Sequence, residues 1–144
     1  MESGYVNESE NLSPALRDKL SSLEKALLAA RTADEHRGQD IVILDMRELT
    51  TFFDFFVIAT GTSRRQLHAM SEHIDEALAQ CGARRLGIEG FGESRWILLD
   101  YGDVVVHLFD EETREFYALE DLWAHAGRIP FTPRSSLPDA GNGV

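Results

Sequence analysis

Three groups of residues in this chain of 144 have types that chemistry can use. The first is Gly61-Thr62-Ser63, a glycine and two hydroxyls where an apolar run gives way to a helical pattern. A serine on a strand-to-helix turn can be a nucleophile elbow, but the elbow needs a second glycine two residues later, and Arg65 stands there. Ser63 and Gln66 instead have capping-box spacing, which satisfies the orphan N–H groups of the helix that follows. Such a turn can also hold the phosphates of a nucleoside triphosphate, as in nucleotidyltransferases, given paired carboxylates on the next strand to bind metal. The next strand candidate, Arg84 to Glu89, offers only Glu89 and opens with two arginines. Neither a Walker A sequence nor a strand followed by G-x-G-x-x-G occurs.

The second group is the five histidines His36, His68, His73, His107 and His125. His68 and His73, five apart on a helix, fall on different faces, and none belongs to a His-Glu-x-x-His or Cys-x-x-Cys grouping. No metal and no cofactor is expected. The single cysteine, Cys81, has no partner for an internal disulfide, which agrees with a reducing compartment, and reads as a small apolar residue at a helix end.

The third group lies in two adjacent runs, Arg95 to Tyr101 and Val104 to Asp110. The loop Gly102-Asp103, with glycine first, fits a type II′ hairpin turn. Trp96 then opposes Phe109, Leu98 opposes His107, Leu99 opposes Val106, Asp100 opposes Val105 and Tyr101 opposes Val104. Ile97, Leu99, Tyr101, Val104, Val106 and Leu108 share an apolar face suited to a helix-covered core. Trp96, Leu98, Asp100, His107 and Phe109 share the other, which mixes aromatic anchors with two ionisable groups as interface centres do. A second covering layer, with Asp100 and His107 paired to each other or to backbone groups, would explain the same pattern.

The elements that position these groups follow from periodicity. Ser13-Pro14 is a helix start, and Leu16, Leu20, Leu23, Leu27 and Ala30 line one face of that helix until Gly38 can end it. The stripe suits packing on a sheet or pairing with a second helix. Ile41 to Asp45 and Phe53 to Thr60 are nearly continuous apolar runs, the mark of strands covered on both faces. Leu67, Met70, Ile74, Ala77, Leu78 and Cys81 make a second helix that Gly82 stops, and Thr113 to Trp123 makes one or two short helices. The fold class is therefore α/β (α+β), one domain with a mixed sheet of about five strands flanked by helices. Residues 1–12 read as a flexible lead, 13–129 as the domain and 130–144 as a flexible tail.

Composition narrows the partner. Hydrophobic residues make up 43% of the chain, but no apolar run approaches the roughly 18 residues of a membrane span. The opening Met1-Glu2-Ser3-Gly4-Tyr5 lacks the basic and apolar regions of a signal peptide, so a cytosolic protein is expected. A net charge of −11, with 14 scattered basic residues, opposes nucleic acid and anionic membrane and favours a basic partner.

The runs Asp54-Phe55-Phe56-Val57-Ile58-Ala59-Thr60-Gly61-Thr62-Ser63, Glu89-Gly90, Trp96 through Phe109, and Arg114-Glu115-Phe116-Tyr117-Ala118-Leu119-Glu120-Asp121-Leu122-Trp123 occur in this order. Over about Leu16 to Ala126 the chain resembles the ribosomal silencing factor, or Iojap, family. The resemblance implies a nucleotidyltransferase-like core without catalytic carboxylates, and no enzymatic activity. It implies binding to the large ribosomal subunit through its protein number fourteen (uL14), with a steric block to small-subunit joining that represses translation. The implied partner-binding region contains Trp96, Leu98, Asp100, Tyr101, His107 and Phe109, although the hairpin register turns Tyr101 toward the core. Asp100, Asp103 and neighbouring carboxylates would steer a basic ribosomal protein while Trp96 and Phe109 anchor it. The rival readings are a nucleotidyltransferase-like enzyme and a homodimeric scaffold built on the leucine stripe.

Overall fold

The computed structural model describes residues 20–134. The helix start expected at Ser13-Pro14 and the residues beyond 134 lie outside that range. Among the described residues the first helix, α1 (Ser22–Glu35), opens on a capping box: Glu24 N–H donates to Ser21 Oγ at 3.1 Å and Ser21 N–H to Glu24 Oε1 at 2.9 Å. Its most deeply buried line is Ala26, Ala29, Ala30 and Ala33, while Leu20, Leu23, Leu27 and Leu28 pack at the edge of the core. Alanine lets a helix approach its neighbours closely, so backbone proximity decides which face turns inward and the leucines flank it.

The end of α1 also differs from expectation. Arg37, at φ 68°, takes the left-handed position, and Gly38 N–H donates to the Ala33 carbonyl at 2.7 Å. Gly38 is required for close approach, because a Cβ there would sit 2.9 Å from that carbonyl oxygen and 3.0 Å from Met70 Sδ.

Strands β1 (Gln39–Asp45) and β2 (Phe55–Gly61) follow, then α2 (Arg64–Gln80), β3 (Gly87–Glu89), β4 (Trp96–Asp100), β5 (Val104–Asp110), α3 (Glu111–Tyr117), α4 (Leu119–Leu122) and β6 (Gly127–Arg128). The sheet order is β3-β4-β5-β2-β1-β6. Among the described residues only β2 and β5 pair in parallel, Phe55 opposite Val104 through to Gly61 opposite Asp110, and the excursion through α2, β3 and β4 supplies the crossover such pairing needs. Every residue of β2 is buried, as its unbroken apolar run requires. The run was expected to begin at Phe53, but Phe53 lies before the strand and packs on the sheet. The sheet has six strands rather than about five, the extra one being β6, a two-residue edge strand pairing with Leu44 and Asp45.

Alternation along the strands builds two unequal cores. One face carries Ile43, Phe55, Val57, Ile97, Leu99, Val106 and Leu108 beneath α1 and α2. The other carries Leu44, Met46, Phe56, Ile58, Val105, Phe109 and Leu119, with Trp96, Leu98, Phe53 and Trp123 only partly buried around them. Among the described residues no long helix covers this second face, and the short α3 and α4 shield part of it.

Candidate binding face

The hairpin adopts the register read from its loop: Trp96 opposite Phe109, Leu98 opposite His107, Leu99 opposite Val106 and Asp100 opposite Val105. Tyr101 N–H donates to the Val104 carbonyl at 2.9 Å. Gly102 takes φ 88°, a conformation open to glycine, and Asp103 N–H also donates to the Tyr101 carbonyl at 3.2 Å, tightening the turn around Gly102.

Register brings Trp96, His107 and Phe109 together on the less covered face. The Trp96 indole N–H donates to His107 Nδ1 at 3.1 Å, and the Trp96 and Phe109 ring centroids are 4.9 Å apart. Because Nδ1 accepts, the neutral imidazole carries its proton on Nε2. His107 is 4% exposed, and burial pushes its pKa down to about 4. Its Nε2 is buried without a hydrogen-bond partner among the described residues, while the Phe56 ring lies edge-on at 4.6 Å between centroids. Asp100 and His107 are not paired with each other: Asp100 Oδ1 accepts from Gly102 N–H at 2.8 Å and braces the turn.

An aromatic strip runs outward from this centre. Phe56 meets Phe53 at 5.3 Å, and Phe53 meets Phe52 at 6.4 Å. In the other direction Trp96 meets Tyr117 at 4.8 Å, and Tyr117 meets Phe116 at 5.0 Å. Both ends are open to solvent, Phe52 and Phe116 each being 79% exposed, and Leu122 is exposed as well. The sequence reading missed Phe116 and Tyr117 as members of this face. Their signal was present, two adjacent aromatics on a seven-residue helix with no buried residue, but it appears only once α3 is placed beside Trp96.

Of the six residues assigned to the partner surface, Trp96, Leu98 and Asp100 are partly exposed. His107 and Phe109 lie beneath them as support, 4% and 0% exposed. Tyr101 is on the opposite face, buried, with its hydroxyl donating to Asp75 Oδ1 at 2.7 Å. Burial, and then the Asp75 carboxylate, raise its pKa well above the ordinary tyrosine value. Asp103, read as a steering carboxylate, is held by Lys25 of α1 with Nζ 3.2 Å from Oδ2.

The Gly61-Thr62-Ser63 turn is occupied by structural bonds. Ser63 Oγ accepts from Gln66 N–H at 3.1 Å, the expected half of the capping box. The reciprocal half shifts by one residue: Gln66 Oε1 accepts from the Thr62 N–H and hydroxyl, while Gln66 Nε2 donates to the His36 and Arg37 carbonyls. Reaching the exposed carbonyls at the end of α1 draws the glutamine away from the Ser63 N–H. Among the described residues no three His, Cys, Asp or Glu side chains are grouped to hold a metal ion. His68 stacks on Phe91, and His73 stacks on His36.

A six-stranded mixed sheet with two long helices on one face and an aromatic strip on the other places the chain in a class of small α/β domains already seen in bacteria. A crystal structure of a Chromobacterium violaceum protein superposes with a TM-score of 0.71 at 32% identity, covering 81% of this chain and 98% of that one. The chain belongs to the ribosomal silencing factor family: the family model described as "Ribosomal silencing factor during starvation" matches residues 19–142. The Bacillus subtilis protein named ribosomal silencing factor RsfS is 40% identical over 99 residues, 69% of this chain and 84% of its own. A mouse protein named mitochondrial assembly of ribosomal large subunit protein 1 is 36% identical over 92 residues, 62% of this chain and 40% of its own.

Proposed function

We propose that this protein binds the large ribosomal subunit in the cytoplasm through ribosomal protein uL14 and, by occupying that surface, blocks the small subunit from joining and represses translation. The observation that carries the reading is the sheet face on which Trp96 and Leu98 stand partly exposed beside Asp100, backed by the rigid His107 and Phe109 layer. Partly exposed aromatic anchors over a packed base are the usual form of a binding hot spot. The net charge of −11 suits a basic ribosomal protein and opposes direct RNA binding. The mouse relative's name also points to the large subunit. The mechanism is occlusion and calls for no catalytic group; Ser63, the residue with an enzymatic alternative, spends its hydroxyl on a helix cap.

The test mixes purified protein with separated ribosomal subunits and follows its co-sedimentation with the large subunit and the yield of joined ribosomes. Binding to the large subunit with a dose-dependent fall in joining is expected. Binding with joining unaffected would overturn silencing, and no binding would overturn the whole reading.

A further inference from the structure

A cleft of about 470 Å³ opens where the loop before β4 meets α3. Three of its walls are aromatic: Trp96, Tyr117 and Phe116. The rings stand at angles to one another, Trp96 to Tyr117 at 49° and Phe116 to Tyr117 at 87°, and Phe116 and Tyr117 remain 79% and 50% exposed, so ring surface is left open toward solvent. Glu93 and Glu112 also line it, and neither makes a salt bridge among the described residues. Arg95, also in the lining, is the one cation there among the described residues.

Angled aromatic faces beside unpaired carboxylates form a receptor for a cation. The π faces attract positive charge through the ring quadrupole, and the carboxylates supply long-range attraction and hydrogen-bond acceptors. An anion would meet two glutamates, and a purely apolar group would strand both carboxylates without a partner. Trp96 is held in place from behind by its bond to His107, so this wall is fixed before anything binds.

We propose that this cleft is a specificity pocket for one cationic side chain, arginine or lysine, of the basic protein that docks on the aromatic face. The proposal rests on the reading that a basic protein docks there, and it adds where a single positive charge is read. Arg95 acts as a gate of like charge: it weakens entry of any cation that the aromatic walls and both glutamates do not together favour.

The test uses the full chain and no ribosome. Nα-acetyl-arginine methylamide is titrated into the protein while the Trp96 indole N–H and Tyr117 ring resonances are followed by NMR, with the neutral citrulline analogue as control. Saturable shifts at both residues are expected with the arginine probe, at least fivefold weaker with citrulline. The Glu93→Gln/Glu112→Gln double variant should weaken the arginine probe severalfold, and Arg95→Gln should tighten it. These are exposed positions, so the variants retain the wild-type fold, checked by their spectra. Equal response to both probes, or arginine binding indifferent to the glutamates, overturns the pocket. Co-sedimentation of the double variant with large subunits separates this from the docking reading. Loss of ribosome binding by Trp96→Ala with no effect of the double variant would leave docking intact and remove the pocket.

Discussion

The Trp96 indole N–H and His107 Nδ1, 3.1 Å apart on adjacent antiparallel strands, tie a partly exposed aromatic of the open face to a buried imidazole. The bond exists only while His107 is neutral, since a protonated imidazole has no acceptor nitrogen. Burial keeps it neutral down to a pH of about 4, so the support under Trp96 persists well into the acid range.

That depression carries a stability consequence. In the unfolded chain His107 protonates near 6.5, whereas the folded protein resists protonation until about 4. The contribution is complete above 6.5, falls as pH drops through this window, and is gone below it. At about 1.4 kcal/mol per pH unit the loss approaches about 3 kcal/mol. Urea denaturation between pH 7 and 4 should show this fall in the wild type and a smaller one in His107→Gln, whose amide oxygen can still accept from Trp96. Equal slopes in the two proteins would remove His107 as the cause.

Trp96 should matter more to binding than to folding. It is only partly buried, so truncation leaves no closed cavity, and in the proposed docking reading it is the central anchor of the face. Trp96→Ala is expected to cost about 2 kcal/mol or more in large-subunit affinity, as interface tryptophans do. The measurement is a co-sedimentation isotherm, with circular dichroism to verify the fold. Wild-type affinity would take the anchor role away from Trp96.

Gly90 prepares the loop that leads into β4. It holds φ 79°, and a Cβ there would lie 1.9 Å from the Trp96 carbonyl oxygen, a backbone atom that cannot swing aside. Gly90→Ala should therefore destabilise by about 1–3 kcal/mol and displace the Trp96 end of the strand. Gly92→Ala, where a Cβ meets nothing within 4 Å, is the control and should be close to neutral. Thermal melts of the two variants check the contrast.

How much of this was legible in the sequence depends on the range of each signal. The hairpin register was readable because a two-residue loop with glycine first fixes pairing, and period-2 alternation then sorts Ile97 and Leu99 from Trp96 and Leu98. β6 was not, because Gly127 and Arg128 pair through backbone alone and carry no strand-forming side chains. The buried face of α1 was partly legible: Ala30 and the flanking Leu20, Leu23 and Leu27 lie against the core as the stripe implies, but hydrophobicity points to leucine while close helix packing makes Ala26, Ala29 and Ala33 the deepest residues beside Ala30. The aromatic strip was half legible: Trp96 and Phe109 follow from register, but Phe116 and Tyr117 join them only through the tertiary placement of α3.

Tyr101 separates the two faces experimentally. The family resemblance groups it with the partner surface, whereas the register turns it under α2, where its hydroxyl donates to Asp75, which lies 3.4 Å from Arg85. Tyr101→Phe deletes one buried hydrogen bond and leaves the ring packing intact, so it should cost about 1 kcal/mol of stability. It should also change the alkaline limb: unfolded tyrosine ionises near 10 while buried Tyr101 resists, so the wild type loses stability as pH rises above that value and the variant loses less. Large-subunit affinity should stay at the wild-type level, in contrast to Trp96→Ala. A loss of affinity in Tyr101→Phe, with folding intact at neutral pH, would show that the partner reaches the helix-covered side and that the docking surface wraps around the β4–β5 turn.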